Sequence, residues 1–129
     1  MRTLFSVKSL FRSFLILIAP AASALASGGY ACRMDAMSVE ERATHAALME
    51  AMLAAVQERQ ELPDGIAFRL PPDQLPTIAQ WVELERKCCP FFTFEIEVPA
   101  DGQPLWLRLT GPEGIKEFIV AELRLDAQD

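Results

Sequence analysis

The sequence predicts a single α+β domain in the order α-β-α-β-β-α, with a small three-stranded sheet, antiparallel or mixed, and helices packed on one face. Two observations predict this fold. Apolar residues recur at three and four positions in three segments, which is typical of amphipathic helices, and two segments alternate apolar with polar residues, which is typical of half-buried strands. The chain has 129 residues, of which 51% are hydrophobic, so it is the length of one ordinary domain.

The first 26 residues predict a secretory signal peptide. Their only charges are Arg2, Lys8 and Arg12, an apolar run follows at 14–22, and an Ala-Leu-Ala sequence at 24–26 is typical of a cleavage site. The apolar run is shorter than the roughly 20 residues of a permanent membrane span. We therefore expect a periplasmic or secreted protein, with a cytoplasmic one as the alternative if this segment reflects a mis-assigned start.

The rest of the chain is acidic. Three of the 12 basic residues and none of the 18 acidic ones lie in the first 26 positions, so the remainder carries nine basic residues and a net charge near −9. Such a domain repels phosphate backbones, so we expect no nucleic-acid partner. Neither a phosphate-binding glycine loop nor a serine-nucleophile motif is present, which favours a non-enzymatic function. The sequence does not indicate a protein partner.

A lead at 27–37 precedes the domain, which we place at 38–125 with a frayed tail at 126–129. Ser38 and Glu41 form a capping box, which predicts the start of the first helix. This helix is expected to end near Gln60. Its apolar stripe consists of Leu48, Met49, Met52 and Val56.

A turn at 62–65 and a strand at 66–70 follow, because proline and glycine favour a turn there. The second helix is predicted with Asp73 as its cap and Pro76 in its first turn, and Pro90 ends it. Strands at 92–98 and 105–109 flank a hairpin loop, so they are expected to be antiparallel neighbours, with Arg108 facing Glu95 or Glu97. A third helix begins at 110–113, and its apolar stripe is Ile115, Phe118, Ile119 and Leu123.

Three cysteines carry the conspicuous chemistry. Cys88 and Cys89 end the second helix, and Cys32 lies just before the first, so packing of the two helices would bring three sulfurs together. Three thiolates suit mercury(II), arsenic(III) or copper(I), and zinc would take a fourth ligand, either His45 or Glu85. The leading hypothesis is therefore a non-enzymatic domain that binds a soft metal or metalloid ion through Cys32, Cys88 and Cys89.

Other interpretations of the same residues stay open. The vicinal pair could serve a thiol redox protein, or the cysteines could be buried as small apolar residues in a plain structural or partner-binding domain. A structural disulfide could join Cys32 to Cys88 or Cys89, and a strained Cys88–Cys89 bond is a further alternative. His45 is expected on the solvated side of the first helix, and Glu85 is expected to be solvated or salt-bridged.

Three stretches carry a resemblance: Ala-Cys-Arg-Met from 31, Glu-Arg-Lys-Cys-Cys-Pro-Phe-Phe-Thr-Phe from 85 and Leu-Trp-Leu-Arg-Leu-Thr-Gly-Pro from 105. With them the chain resembles a little-characterised bacterial module over about residues 31–123. The module occurs as stand-alone hypothetical proteins and, in a related form, attached to some regulators of the MerR (mercury-resistance) type. The resemblance implies no activity, but its association with metal-responsive regulators favours metal or thiol sensing. The chain lacks the DNA-binding helix pair of those regulators.

Overall fold

The computed structural model describes residues 29–128; the predicted signal peptide at 1–26 lies outside them. This range contains three helices: α1 Val39–Ala54, α2 Leu75–Cys88 and α3 Ile115–Glu122. The same residues contain four strands: β1 Glu58–Leu62, β2 Gly65–Leu70, β3 Thr93–Glu97 and β4 Leu105–Thr110. Short 3-10 turns lie at Met34–Ala36, Pro72–Gln74 and Leu125–Gln128, so part of the tail that was expected to fray forms the last of these turns.

The strands form one antiparallel sheet in the order β1-β2-β4-β3. The α+β class and the antiparallel pairing of β3 with β4 are confirmed, but the predicted three-strand sheet is wrong by one strand. The missing strand, β1, lies where the first helix was expected to continue to Gln60. That helix ends at Ala54, and the Gln57 N–H donates instead to the Arg69 carbonyl oxygen at 2.9 Å. The predicted turn at 62–65 is therefore the turn of a β1-β2 hairpin.

The two predicted helix caps have different outcomes. The Ser38 capping box is confirmed, since the Glu41 N–H donates to Ser38 Oγ at 3.1 Å and the Ser38 N–H donates to Glu41 Oε2 at 2.9 Å. The predicted cap at Asp73 is wrong, because Asp73 lies inside a 3-10 turn and Gln74 caps α2 without a side-chain hydrogen bond. Pro76 lies in the first turn of α2, as expected.

The core lies between the three helices and one face of the sheet, so the predicted packing of helices on the apolar face is confirmed. β2 and β4 present alternate residues to this core. The largest fully buried side chains are Trp81, Phe68, Met52, Ile66, Leu70, Ile78, Leu105, Leu107, Leu109, Ile115, Ile119 and Leu125. Trp81 and Ile78 come from α2, which fixes that helix, and with it the cysteine pair, against the sheet.

The other face of the sheet is polar. Arg108 on β4 lies directly opposite Glu95, and its Nη2 lies 2.7 Å from Glu97 Oε2, so the predicted cross-strand pairing is confirmed with Glu97 as the ion-pair partner. Trp106 is half-buried on this same face. Within residues 29–128, no helix has the length and apolar character that crossing a membrane requires.

Candidate thiol and metal site

The end of α2 brings three chemically active side chains onto one side of the helix. Cys88 and Cys89 follow Glu85 by three and four residues, and residues at these spacings lie on one helix face. Cys88 is the last helical residue. Cys89 leaves the helix (φ −121°, ψ 69°) while its N–H still donates to the Glu85 carbonyl oxygen at 2.8 Å. Both sulfur atoms lie beside the Glu85 carboxylate.

The lead places Cys32 at the same end of α2. The Arg33 N–H donates to the Cys88 carbonyl oxygen at 2.8 Å, which joins the lead to the last turn of the helix. From α1, the Arg42 guanidinium donates to the Met34 carbonyl oxygen at 3.1 Å. Backbone and side-chain contacts thus hold the lead on both helices, which is what the shared-site hypothesis requires.

Cys32 and Cys89 form a disulfide with their Cα atoms 5.0 Å apart, and Cys88 remains a free, buried thiol. Of the alternatives open from sequence, this is the structural disulfide that leaves one sulfur over. The strained Cys88–Cys89 bond is not formed, although Cys88 Sγ lies only 3.7 Å from Cys89 Sγ. Two of the three predicted ligands are therefore oxidised in this structure.

The predicted ligands nevertheless converge. One ligand atom from each of Cys32, Glu85, Cys88 and Cys89 lies within 4.8 Å of the others. Three of these residues are buried, and Cys32 is half-buried, so it is the most accessible member. A cluster of three sulfurs and one carboxylate can serve two chemistries: thiol–disulfide exchange while the disulfide is present, and binding of a soft cation after its reduction.

His45 does not lie where the sequence suggested. It was expected on the solvated side of α1, but it is buried, and its Nε2 makes a short contact with Glu85 Oε2. Glu85 was expected to be solvated or salt-bridged, and it is a buried partner of this imidazole, only 1% exposed. Because His45 Nε2 lies against Glu85, the structure brings Glu85, and not His45, into the sulfur cluster.

The pair is enclosed by aromatic rings. The His45 ring stacks on Trp81 with centroids 6.2 Å apart, and Trp81 meets Phe94 edge to face at 6.0 Å. Among the described residues, Trp81 Nε1 and Glu85 Oε1 are buried without a hydrogen-bond partner. Buried polar atoms usually have partners, so each of these two atoms is a place where a further group could bind.

The surroundings disfavour negative charge on the free thiol. Burial, followed by the Glu85 charge and the hydrogen bond to Glu85, raises the pKa of Cys88 to about 12. Burial, followed by the charge of Glu85, also raises the pKa of Glu122 on α3. Cys88 is therefore a poor nucleophile at neutral pH, and a cation is the kind of ligand that would favour its thiolate.

Two features of this site were missed from sequence. His45 precedes Leu48, Met49 and Met52 by three, four and seven residues, so extending the apolar stripe of α1 by one turn would have placed it on the buried face. Glu122, half-buried on α3, had no such signal, because its proximity to Glu85 depends on how α3 packs.

Comparisons of the chain with known protein families, with curated proteins and with solved structures find no match. The site described above consists of Cys32, Glu85, Cys88 and Cys89, with His45 in contact with the Glu85 carboxylate.

Proposed function

We propose that the protein binds a soft metal or metalloid ion through Cys32, Cys88 and Cys89 once the disulfide is reduced. The observation that carries this proposal is the convergence of the three sulfurs and one carboxylate within 4.8 Å. Thiolates are the ligands that select soft ions such as mercury(II), copper(I) and zinc. The resemblance to a module attached to MerR-type regulators favours the same function.

The spacing of two of the sulfurs supports a metal site. Two thiolates that share a tetrahedral zinc ion, each about 2.3 Å from the metal, lie about 3.8 Å apart. Cys88 Sγ and Cys89 Sγ are 3.7 Å apart without being bonded to each other. These two sulfurs would need little movement to share an ion, and Cys32, freed from its bond to Cys89, would be the third ligand.

The raised pKa of Cys88 is compatible with this function. A buried thiol with a pKa of about 12 is protonated at neutral pH and resists alkylation and oxidation. Coordination to a cation deprotonates a thiol directly, because the charge of the ion replaces the missing solvation. The Cys88 thiol would therefore be neutral and unreactive in the empty site, and it would become a thiolate only when an ion binds.

The test is uptake of Hg²⁺, Zn²⁺ or arsenite by the full chain after reduction with a phosphine, followed by ultraviolet absorption of the thiolate–metal bonds. We expect about one equivalent to bind, as a single shared site requires, and binding to be lost in Cys32→Ser, Cys88→Ser and Cys89→Ser. The oxidised protein is the matched control, since it has the same sequence with two ligands withdrawn. Unchanged uptake in all three variants would reject the proposal.

A second function, thiol redox chemistry, is favoured by one observation: the free Cys88 thiol lies beside the disulfide. Cys88 as thiolate would attack Cys89 Sγ, forming a Cys88–Cys89 bond while the Cys32–Cys89 bond breaks and Cys32 leaves as a thiolate that takes up a proton. The raised pKa of Cys88 opposes this step. Turnover in a dithiol-driven disulfide-reduction assay, abolished by Cys88→Ser, would favour this function; no turnover would exclude it.

A further inference from the structure

The buried carboxylate of Glu85 has one oxygen in use and one without a partner. Oε2 contacts His45 Nε2 and accepts a hydrogen bond from Cys88 Sγ at 3.7 Å. Oε1 has no hydrogen-bond partner among the described residues, although the side chain is only 1% exposed. Leaving a buried acceptor unsatisfied is unfavourable, because the hydrogen bonds that it made to water are not replaced. A cation bound by the carboxylate would offset this cost, so the unpartnered oxygen is an independent sign of a ligand.

His45 holds this carboxylate from the neighbouring helix. It comes from α1, whereas Glu85 comes from α2, and both side chains are buried. The imidazole is itself fixed by stacking on Trp81. Ligands of metal ions are commonly oriented by such a hydrogen bond to a second residue, which limits the positions that the ligand can adopt. His45 is accordingly a positioning residue that acts through Glu85.

We infer that Glu85 is the fourth ligand of the reduced site, that His45 positions it, and that the site takes a divalent tetrahedral cation of the zinc and cadmium class in preference to arsenite. This inference rests on the proposed function, because it requires the three cysteines as ligands. Zinc in structural sites takes four ligands, drawn from sulfur, nitrogen and carboxylate oxygen. Three sulfurs and one oxygen from Glu85 complete such a set.

Arsenite is a poorer match for four ligands. As(OH)₃ reacts with three thiols to give As(SR)₃, each thiol proton leaves with one hydroxyl group as water, and the arsenic keeps a lone pair on its fourth side. The Glu85 carboxylate, which His45 holds in place through Oε2, repels this lone pair. With a divalent cation, the carboxylate donates an electron pair to the metal instead, and three thiolates plus one carboxylate give the net charge of −2 that four-cysteine zinc sites also carry.

The test compares Cd²⁺ and arsenite binding by the reduced full chain and its Glu85→Gln variant. Glu83→Gln is the matched control, since Glu83 is an exposed glutamate on the same helix. We expect Glu85→Gln to weaken Cd²⁺ binding at least about 10-fold and to leave arsenite binding unchanged or stronger, because the charge that repels the lone pair is gone, and Glu83→Gln to change neither.

His45 variants separate positioning from structure. His45→Leu fills the space without a hydrogen-bond donor, and we expect it to weaken Cd²⁺ binding about 10-fold, the size of effect that loss of a second residue behind a ligand produces. His45→Gln keeps a donor near the position of Nε2 and should restore most of that affinity. Loss of Cd²⁺ binding in His45→Gln would instead make His45 a direct ligand and overturn the inference.

The remaining outcomes are distinct. Unchanged Cd²⁺ binding in Glu85→Gln overturns the inference while leaving a three-cysteine site in place. Equal losses for Cd²⁺ and arsenite overturn the selectivity. Failure of the unchanged reduced chain to bind either ion removes the proposed function, and the inference with it. If Glu85→Gln does not fold, Glu85→Asp, which withdraws the carboxylate by one methylene group, decides the question by the same ratio of affinities.

Discussion

Two regions of the molecule each join neighbouring elements through a pair of polar side chains, and they do so differently. On the outer sheet face, Arg108 and Glu97 pair at 2.7 Å with side chains 32% and 51% exposed. Between α1 and α2, His45 and Glu85 pair with side chains only 6% and 1% exposed. An exposed pair contributes at most about 1 kcal/mol, whereas a buried one must first offset the desolvation of both groups. The presence of the buried pair is therefore weak evidence that it stabilises the fold. Its position is better explained by the sulfur cluster beside it.

The largest expected effect comes from the disulfide that supports the buried region. Cys32 and Cys89 are 57 residues apart, so their bond restricts a long loop of the unfolded chain. Cys32→Ser should lower the free energy of unfolding of the oxidised protein by about 4 kcal/mol, by the loop-entropy relation. Urea denaturation measures this. Cys88→Ser, which leaves the disulfide intact, is the control, and equal midpoints for the two variants would contradict the observed pairing.

The next effect tests the buried pair directly. His45→Leu leaves the Glu85 carboxylate buried without its partner, and we expect it to destabilise the protein by about 3 kcal/mol. Replacing both residues by leucine should recover much of this loss, because no unpaired charge then remains. Urea denaturation of the two single variants and the double variant provides the cycle. A double variant as unstable as the sum of the singles would mean that the two side chains are not coupled, and it would contradict the loss of a buried partner as the cause of each single loss.

The difference between the two regions also separates what the sequence could predict from what it could not. The outer face was predictable, because alternation along 105–109 assigns Arg108 to the polar side and the hairpin loop brings it opposite Glu97. Strand β1 was not predictable in this way. Its residues at 58–61, Glu-Arg-Gln-Glu, show no apolar alternation, and only pairing with β2 makes them a strand.

The site, too, has features that the sequence could predict and features that it could not. Helical spacing was enough to place Glu85, Cys88 and Cys89 on one side of α2. Which sulfur Cys32 meets depends on the path of the lead across the helix end, and no local pattern encodes that path. The burial of His45 was readable from the stripe of α1, but its contact with Glu85 depends on how α1 packs against α2.

The stability of the folded protein is expected to depend on pH through the buried Cys88 thiol. Burial raises the pKa of Cys88 from 9.0 to about 12, so the folded protein holds this proton where the unfolded chain releases it. The resulting stability is complete below pH 9 and is lost as the pH rises from 9 through 12. Cys88→Ala should therefore lose less stability over this range than the unchanged protein does. Parallel denaturation curves for the two proteins from pH 8 to 11 would contradict the raised pKa.

The smallest effect is expected on the outer face. Arg108→Ala removes the ion pair with Glu97, and its cost should stay below about 1 kcal/mol, since water solvates both groups once they are apart. Added salt should reduce this cost further, because dissolved ions screen exposed charges and the screening length falls from about 10 Å at 0.1 M to about 3 Å at 1 M. The His45→Leu cost should change little in the same salt series, because solvent ions do not reach a pair that is 6% and 1% exposed. Equal salt dependence of the two losses would mean that water reaches Glu85, and the case for a bound cation at its unpartnered oxygen would weaken with it.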